Sequence, residues 1–152
     1  MKSVNIFRDF LREGTDMLKK LRGALILLAF ALPAQAAEQS VHYVSHAAFP
    51  AGNAQLLPEA RSELLALLRE LESYPAVLGI EVTGHADASG PAAFNEWLAE
   101  LRAERVAKFL LQQGVDPRRL SFKGAGSRKP LPGTDDPAMQ RRFEIHLRLA
   151  AE

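Results

Sequence analysis

The sequence predicts an α+β fold, a two-layer sandwich in which helices cover one face of a mixed β-sheet. Two stretches carry apolar residues at helical spacing, and four shorter stretches alternate apolar with polar residues. Their order along the chain is strand, helix, strand, helix, strand, loop, strand, that is, βαβαββ. This order allows both helices to lie on the same face of a single sheet.

The first predicted strand covers residues 41–49, where Val41, Tyr43 and Phe49 share one face. His42 and His46 share the opposite face and raise the question of a metal site. Two histidines without cysteine and without a third well-placed ligand do not make a closed zinc site. We therefore expect no metal at this strand.

A turn at residues 50–53 leads into the first predicted helix, which begins at residues 56–59. Proline and glutamate at that point suit the unpaired donors and the positive dipole end of a helix N-terminus. The leucines that follow lie at helical spacing, and Pro75 ends the helix. We expect this helix to contribute packing only.

The second predicted helix follows a strand and a polar loop. Ile80 and Val82 alternate with polar neighbours as in a half-buried strand, and glycines bracket the loop at residues 84–90. Pro91 suits the first position of a helix, because the donor that proline lacks would be unpaired there. This arrangement places Asp87 in a loop between a strand and a helix.

Asn95 and Arg102 project from within the apolar arc of this second helix. The arc is formed by Phe94, Leu98, Leu101, Val106 and Phe109. Burying an unpaired guanidinium is costly, so Arg102 either extends to water or faces a carboxylate, of which Asp87 is the nearest by sequence. Two interpretations remain open. The two charges pair with each other and hold the loop to the helix, or together they receive a ligand that carries both signs.

A third strand is predicted at residues 120–124, followed by a long irregular loop at residues 126–137 and a last strand at residues 142–149. The alternation of the last strand, extended backwards, gives Arg141 the parity of the core-facing residues. We therefore expect Arg141 to point toward the helices and Arg142 to face solvent.

Residues 1–36 are predicted to be a leader with a signal peptide, and residues 37–152 the folded domain. Basic residues at 17–22 precede an apolar run at 23–32, which is shorter than the ~20 residues that a transmembrane helix needs. A small-residue site then predicts cleavage after Ala36.

The first sixteen residues are long for such a leader. The preferred explanation is that translation starts at Met17, and the rival explanation is an uncleaved anchor in the inner membrane. The whole chain has 19 basic and 18 acidic residues, of which 6 and 3 lie in residues 1–36. Residues 37–152 therefore carry 13 basic and 15 acidic residues, a formal net charge of −2, and nucleic acid is an unsuitable partner.

The central stretch carries a spaced motif: Gly84-His85-Ala86-Asp87-x-x-Gly90, then Asn95, Leu98, Arg102-Ala103 and Val106. It resembles the signature of OmpA-like peptidoglycan-binding domains, a family found in outer-membrane protein A, the peptidoglycan-associated lipoprotein and flagellar stator proteins. Further matches follow in order at Gly114-Val115-Asp116, Arg119-Leu120, Gly124-x-Gly126, Pro130 and Arg141-Arg142-Phe143-Glu144-Ile145. Together they extend over nearly all of residues 41–149.

The resemblance implies non-covalent binding of diaminopimelate, an amino acid of the peptidoglycan stem peptide whose free end carries an ammonium and a carboxylate. Asp87 would accept from the ammonium, and Arg102 would hold the carboxylate with its planar fork. Asn95 would orient Arg102 or reach the stem peptide, and Arg141 is a fourth candidate. Backbone donors at the start of the helix would assist in holding the anion.

The resemblance also implies a periplasmic location, associated with the outer membrane, and neither a cofactor nor a metal. The expected partners are peptidoglycan and other envelope proteins, with membrane contact only if the leader is retained. The alternative is a protein-interaction scaffold that keeps the fold without binding the wall.

An enzyme is not expected, because no serine or cysteine nucleophile lies beside a base. His85 is expected to bond to backbone through its ring. In one departure from the family pattern, Gln140 stands where an asparagine usually precedes the paired arginines, and the loop from Pro130 is shorter.

Overall fold

The computed structural model of the chain describes residues 38–74 and 76–150. Within these residues four strands, three α-helices and one 3-10 helix form. In chain order they are β1 Gln39–Ser45, α1 Pro58–Leu71, β2 Val77–Gly84, α2 Ala92–Gln112, the 3-10 helix Pro117–Arg119, β3 Leu120–Gly124, α3 Pro137–Gln140 and β4 Phe143–Leu149. The predicted leader, its cleavage after Ala36, and the helix-ending Pro75 lie outside the described residues.

The four strands form one mixed sheet in the order β1-β4-β2-β3. Strand β4 pairs antiparallel with both β1 and β2, while β2 pairs parallel with β3. The parallel pair places Gly84 opposite Gly124 at the ends of their strands. The predicted α+β class and mixed sheet are confirmed.

One face of the sheet is buried under the helices. In β4, the buried residues Phe143, Ile145 and Leu147 alternate with the more exposed Glu144 and His146. The buried residues of the strand join a core cluster with those of α1 and α2, among them Ala60, Leu64, Leu67, Ala103, Val106 and Leu110. The opposite face of β4, which carries Glu144 and His146, is more exposed, which agrees with the helices of the described residues lying on one side of the sheet.

Helix α2 lies close against the sheet because two glycines leave room for its backbone. A Cβ atom at Gly84 would overlap the carbonyl oxygen of Ala99, and one at Gly124 would lie 2.5 Å from the backbone nitrogen of Glu100. Side chains cannot be accommodated at either place without moving the helix. The helix, and with it Arg102, is therefore held at a short distance from the ends of β2 and β3.

The segment between β1 and α1 differs from the sequence prediction. The strand was expected to reach residue 49, but β1 ends at Ser45, and Ala47 adopts a positive φ of 51°. Ala48 then donates from its backbone to the carbonyl of Arg141, and Leu57 donates to the carbonyl of Ala48. Residues 46–57 therefore form a loop tied to the start of β4.

Helix α1 begins with a proline, as predicted, and α2 begins at Ala92, one residue after Pro91. Among the helices of the described residues, none is both long enough and apolar enough to cross a membrane.

Candidate ligand-binding site

Asp87 lies in the loop between β2 and α2 and is 7% exposed. Its Oδ1 accepts hydrogen bonds from the backbone nitrogen of Ser89, at 3.0 Å, and from the Ser89 hydroxyl. This local arrangement is the usual way in which an aspartate stabilises a turn two residues ahead. Burial raises the pKa of Asp87, but the bonds from Ser89 and then from Arg141 outweigh it, and the net pKa is lowered. Asp87 is therefore ionised at neutral pH.

Arg102 has an exposed fraction of 0%, and its guanidinium donates to three backbone carbonyls. Nε donates to Asn53 at 2.9 Å, one terminal nitrogen donates to His85 at 2.9 Å, and the other donates to Pro50 at 3.0 Å. The guanidinium carbon also lies 5.1 Å from the centre of the Phe49 ring, within the range of a cation–π contact.

Burial is the main cause that lowers the pKa of Arg102, to about 10, while Asp87 raises it and Arg141 lowers it further. A pKa of about 10 keeps the side chain charged at neutral pH. Carbonyl oxygens rather than a carboxylate satisfy this charge directly.

Asp87 and Arg102 therefore do not form the direct ion pair that was one of the two interpretations of the sequence. Among the described residues, the cation within 4.0 Å of the Asp87 carboxylate is Arg141, whose terminal nitrogen lies 3.4 Å from Oδ2. Nε of Arg141 donates to the carbonyl of Phe49 at 3.0 Å, and its side chain is 18% exposed. Arg141 thus lies beside Asp87 at the surface of the cluster, and Arg102 lies behind it.

Asn95 is buried at the beginning of α2 and connects the helix to two loops. Its amide nitrogen donates to the carbonyl of Gly90 at 3.0 Å and, more weakly, to the hydroxyl of Ser127 at 3.5 Å. The amide thus fastens the end of the loop that carries Asp87. The hydrogen bonds of the described residues include none between Asn95 and Arg102, so any orienting effect of Asn95 acts through the loop.

The expectation that Arg142 faces solvent is wrong. Arg142 is 3% exposed, and its guanidinium donates to Glu144 at 2.7 and 3.0 Å and to the carbonyl of Lys129 at 2.9 Å. Strand β4 begins only at Phe143, and Arg141 has φ −79° and ψ 71°, outside strand geometry. The two-residue alternation of a strand therefore does not extend back to the two arginines.

Gln140, the departure from the family pattern, organises the shortened loop. Its Oε1 accepts from the backbone of Leu131 at 2.7 Å and from Arg142 at 3.3 Å, and its amide nitrogen donates to the carbonyl of Thr134 at 3.2 Å. Glutamine at this position is therefore satisfied on both ends of its amide.

The ring of His85 does not bond to backbone, and that expectation is wrong. His85 is 1% exposed, and neither ring nitrogen has a hydrogen-bond partner among the described residues. Nε2 lies 3.2 Å from Glu144 Oε1, without the angles of a hydrogen bond. Burial, and then the charge of Arg142, lower the pKa of His85 to about 4 despite the opposing effect of Glu144. The imidazole is therefore neutral at pH 7.

The backbone of His85 connects the two buried arginines. Its nitrogen donates to the carbonyl of Arg142 at 3.0 Å, and its carbonyl accepts from Arg102 at 2.9 Å. Sequence reasoning missed these contacts, and it also missed Ser89. An aspartate two residues before a serine is a known turn signal, so the Ser89 contact could have been found from the sequence.

The two histidines of the first strand do not meet. Nε2 of His42 lies 3.0 Å from Glu144 Oε2, whereas β1 ends before His46. In the described part of the chain, no group of three His, Cys, Asp or Glu residues is placed to hold a metal ion.

The sequence profile of the OmpA family matches residues 48–143, which is more than half of the chain and includes all four predicted site residues. The chain belongs to the OmpA family. This OmpA-family chain is 33% identical over 98 residues to outer membrane porin F of Pseudomonas fluorescens. The aligned region covers 62% of this chain and 30% of the porin. The chain thus spans less than a third of the length of that relative.

Solved structures agree with the fold. The OmpA-like domain of FopA1 from Francisella tularensis has a TM-score of 0.63 at 22% identity and covers 76% of each chain. The peptidoglycan-associated lipoprotein of Burkholderia pseudomallei has a TM-score of 0.59 at 23% identity, covering 68% of this chain and 88% of the lipoprotein. Porin F is an outer-membrane protein, and the expected periplasmic location, associated with the outer membrane, is confirmed.

Proposed function

We propose that this chain binds peptidoglycan non-covalently through the diaminopimelate of its stem peptide, and so positions a protein at the bacterial cell wall. The observation that carries the proposal is the meeting of one ionised carboxylate and two guanidinium groups around a single loop. Asp87 lies 3.4 Å from Arg141, and the same loop bonds to Arg102 through the carbonyl of His85. Groups of both signs match a ligand end that carries both signs.

The ligand ammonium would bind at Asp87. The Asp87 carboxylate is ionised, and its contact with Arg141 is long at 3.4 Å. An ammonium group can therefore bind to the same carboxylate without breaking a strong ion pair. Oδ2 is the oxygen that faces outward to Arg141, while Oδ1 holds the turn through Ser89. The aspartate can therefore accept from a ligand without losing the turn.

The ligand carboxylate would meet Arg141 first, because Arg141 is the more accessible of the two arginines. A guanidinium has five N–H donors, and Arg102 uses at least three of them on the carbonyls of Asn53, His85 and Pro50. Arg102 is also completely buried, so contact between it and a ligand requires the turn at residues 50–53, which supplies two of the three carbonyls, to move away. In this proposal the carboxylate replaces the carbonyls of that turn and receives the two-bond fork of Arg102.

The test compares the response to free diaminopimelate among variants of the full-length chain. Diaminopimelate should raise the melting temperature of the parent, because a ligand that binds only the native state stabilises it. Asp87→Asn and Arg141→Gln should lose this rise. Glu81→Gln is the matched control, since it removes a carboxylate from the open face of the sheet, where Glu81 pairs with Lys123 at 2.6 Å.

Sedimentation with purified cell walls provides the second measurement. The parent should co-sediment with diaminopimelate-type peptidoglycan and much less with a lysine-type wall, because lysine lacks the second carboxylate. Equal retention on both walls, or a parent melting temperature that does not respond to diaminopimelate, would rule out the proposed chemistry.

One observation favours the alternative of an interaction scaffold without wall binding. Arg102 is completely buried and satisfied by carbonyls, which is what a purely structural arginine requires. Under this alternative other envelope proteins are the partners, and the parent would show no response to diaminopimelate. In neither case is catalysis expected, and that expectation stays a prediction.

A further inference from the structure

A groove of about 440 Å³ lies between helix α2, the loop before α1 and the first turns of α1. Three cationic side chains line it: Arg61 from α1, and Arg105 and Lys108 from α2. No aspartate or glutamate of the described residues lines the groove. Its volume is within the range of small-molecule sites. We call these three residues and the space between them the basic groove.

Two of the three cations of the basic groove lack a salt-bridge partner among the described residues. Among the described residues, neither Arg61 nor Arg105 has a carboxylate within 4.0 Å. Lys108 bonds to Glu104 at 2.7 Å, one helical turn earlier. Residues 37–152 carry two more acidic than basic residues, so the groove concentrates positive charge on a domain that is negative overall. A concave cluster of like charges attracts anions more strongly than isolated surface charges do.

The basic groove adjoins the candidate diaminopimelate site. Asn53 lines the groove, and its carbonyl accepts the hydrogen bond from Nε of Arg102. Arg105 follows Arg102 by three residues on α2, less than one helical turn along the same helix. Asn53 therefore lies between the basic groove and the buried Arg102 of the candidate site.

We propose that the basic groove is a second subsite of the wall-binding surface and holds carboxylate groups of the same polymer. The proposal rests on the proposed function, because it takes the polymer bound at Asp87 as its ligand. Peptidoglycan stem peptides carry several carboxylates, and a guanidinium pair can bind such groups through charge-assisted hydrogen bonds. Two linked contacts raise the affinity for the polymer above that for its isolated diaminopimelate unit.

The experiment uses the full-length chain carrying Arg61→Gln and Arg105→Gln together. The matched control carries Arg69→Gln and Lys123→Gln, which remove the same charge from exposed positions outside the groove. For each protein we would measure sedimentation with diaminopimelate-type sacculi at rising NaCl, the melting temperature with free diaminopimelate, and sedimentation with phosphatidylglycerol vesicles.

The groove variant is expected to bind sacculi about fivefold more weakly than the parent at low salt, and with a shallower salt dependence. Its melting response to free diaminopimelate should equal that of the parent. The control variant should bind sacculi as the parent does.

Three results would overturn the subsite. The first is a groove variant that binds sacculi like the parent, and the second is a control variant that loses as much binding. The third is a groove variant that loses only vesicle binding, which assigns the groove to lipid phosphate. Failure of the diaminopimelate site can be told apart from failure of the groove. In that case free diaminopimelate would not raise the melting temperature of the parent, while the groove substitutions would still weaken binding to sacculi. A parent that did not bind sacculi would overturn both proposals.

Discussion

Arg102 fastens three backbone segments with one side chain, namely the turn at residues 50–53, the loop after β2, and α2 itself. Without this guanidinium, the carbonyls of His85 and Asn53 lose the donor that Arg102 supplies, and that of Pro50 keeps only the 3.4 Å bond from the backbone nitrogen of Asn53. Each unsatisfied buried group costs about 1–3 kcal/mol. Lysine keeps the charge but presents one ammonium on a flexible stem, which cannot reach three acceptors in a plane.

Arg102→Lys is therefore expected to lower the free energy of unfolding by about 3 kcal/mol or more, measured by urea denaturation of the full-length chain. Arg105→Lys, three residues away and exposed, is the control and should stay within about 0.5 kcal/mol of the parent. Equal urea midpoints for the two variants would show that the carbonyl contacts of Arg102 contribute little.

The sequence placed Arg102 within the apolar arc of the helix, but it left the burial of the side chain open and did not identify its partners. Its position in an apolar arc of a helix is a local property, and helical spacing reports it directly. Two of its three acceptors lie on Pro50 and Asn53, about fifty residues earlier, in a loop whose sequence has no periodic pattern. Arg142 was misplaced for a related reason, since strand alternation was extended to residues that precede the strand.

At the scale of elements, the contact between α2 and the sheet depends on glycine. A methyl group at Gly84 would meet the backbone at Ala99 and Ala103, which cannot turn aside as a side chain can. At Gly79, in the same strand, a methyl group would meet only the guanidinium end of Arg148, which is flexible.

Gly84→Ala is therefore expected to destabilise the domain by at least the 1–3 kcal/mol typical of overpacking, whereas Gly79→Ala should change the free energy of unfolding by less than about 1 kcal/mol. Thermal melts of the two variants beside the parent provide the measurement. A Gly84→Ala protein as stable as the Gly79→Ala protein would mean that the helix can shift away from the sheet without loss.

Element type was easier to predict than element ends. Strand β3 and helix α1 fall where the spacing of apolar residues placed them, because periodicity over several residues is a strong signal. The end of β1 was predicted too late, since Ala47 adopts a backbone conformation that alanine rarely takes. The short helix α3 and the 3-10 helix were missed because each comprises only one turn.

For the molecule as a whole, the class of fold followed from the order of elements, but the strand order β1-β4-β2-β3 did not. Which strands pair depends on contacts between distant parts of the chain, and the four local patterns are compatible with several orders. The candidate site shows the same division. The resemblance suggested Asp87, Arg102, Asn95 and Arg141 as candidates. That Arg141 lies between Asp87 and Phe49 could be seen only in the folded loop.

The stability of the whole domain is expected to depend on pH through His85. The buried imidazole faces the charges of Arg142, Glu144, Lys129 and His42, and burial is the main cause that lowers its pKa from 6.5 to about 4. In the unfolded chain the same imidazole takes up a proton near pH 6.5. Between these values the unfolded state binds more protons than the folded state, so stability increases with pH in this window.

The carboxylates of Glu144 and Asp87 affect the stability of the domain in a lower range of pH. The pKa of Glu144 is lowered because Arg142, His85 and His42 outweigh the opposing effect of burial, and the pKa of Asp87 is lowered as well. Their stabilisation is present above the ordinary carboxylate values of 4.5 and 3.8 and is lost as the pH falls below them. The change in unfolding free energy between pH 7 and pH 5 therefore reports mainly on His85.

The full-length chain is expected to lose about 2 kcal/mol of unfolding free energy through His85 when the pH falls from 7 to 5. His85→Gln removes the titrating group and should flatten the pH dependence by that amount, whatever its stability at pH 7. His46→Gln, at an exposed position, is the control and should follow the parent. Urea denaturation of the three proteins at pH 5, 6 and 7 decides the question. A His85→Gln curve parallel to that of the parent would show that the imidazole is protonated in the folded domain, held by the carboxylate of Glu144 3.2 Å away.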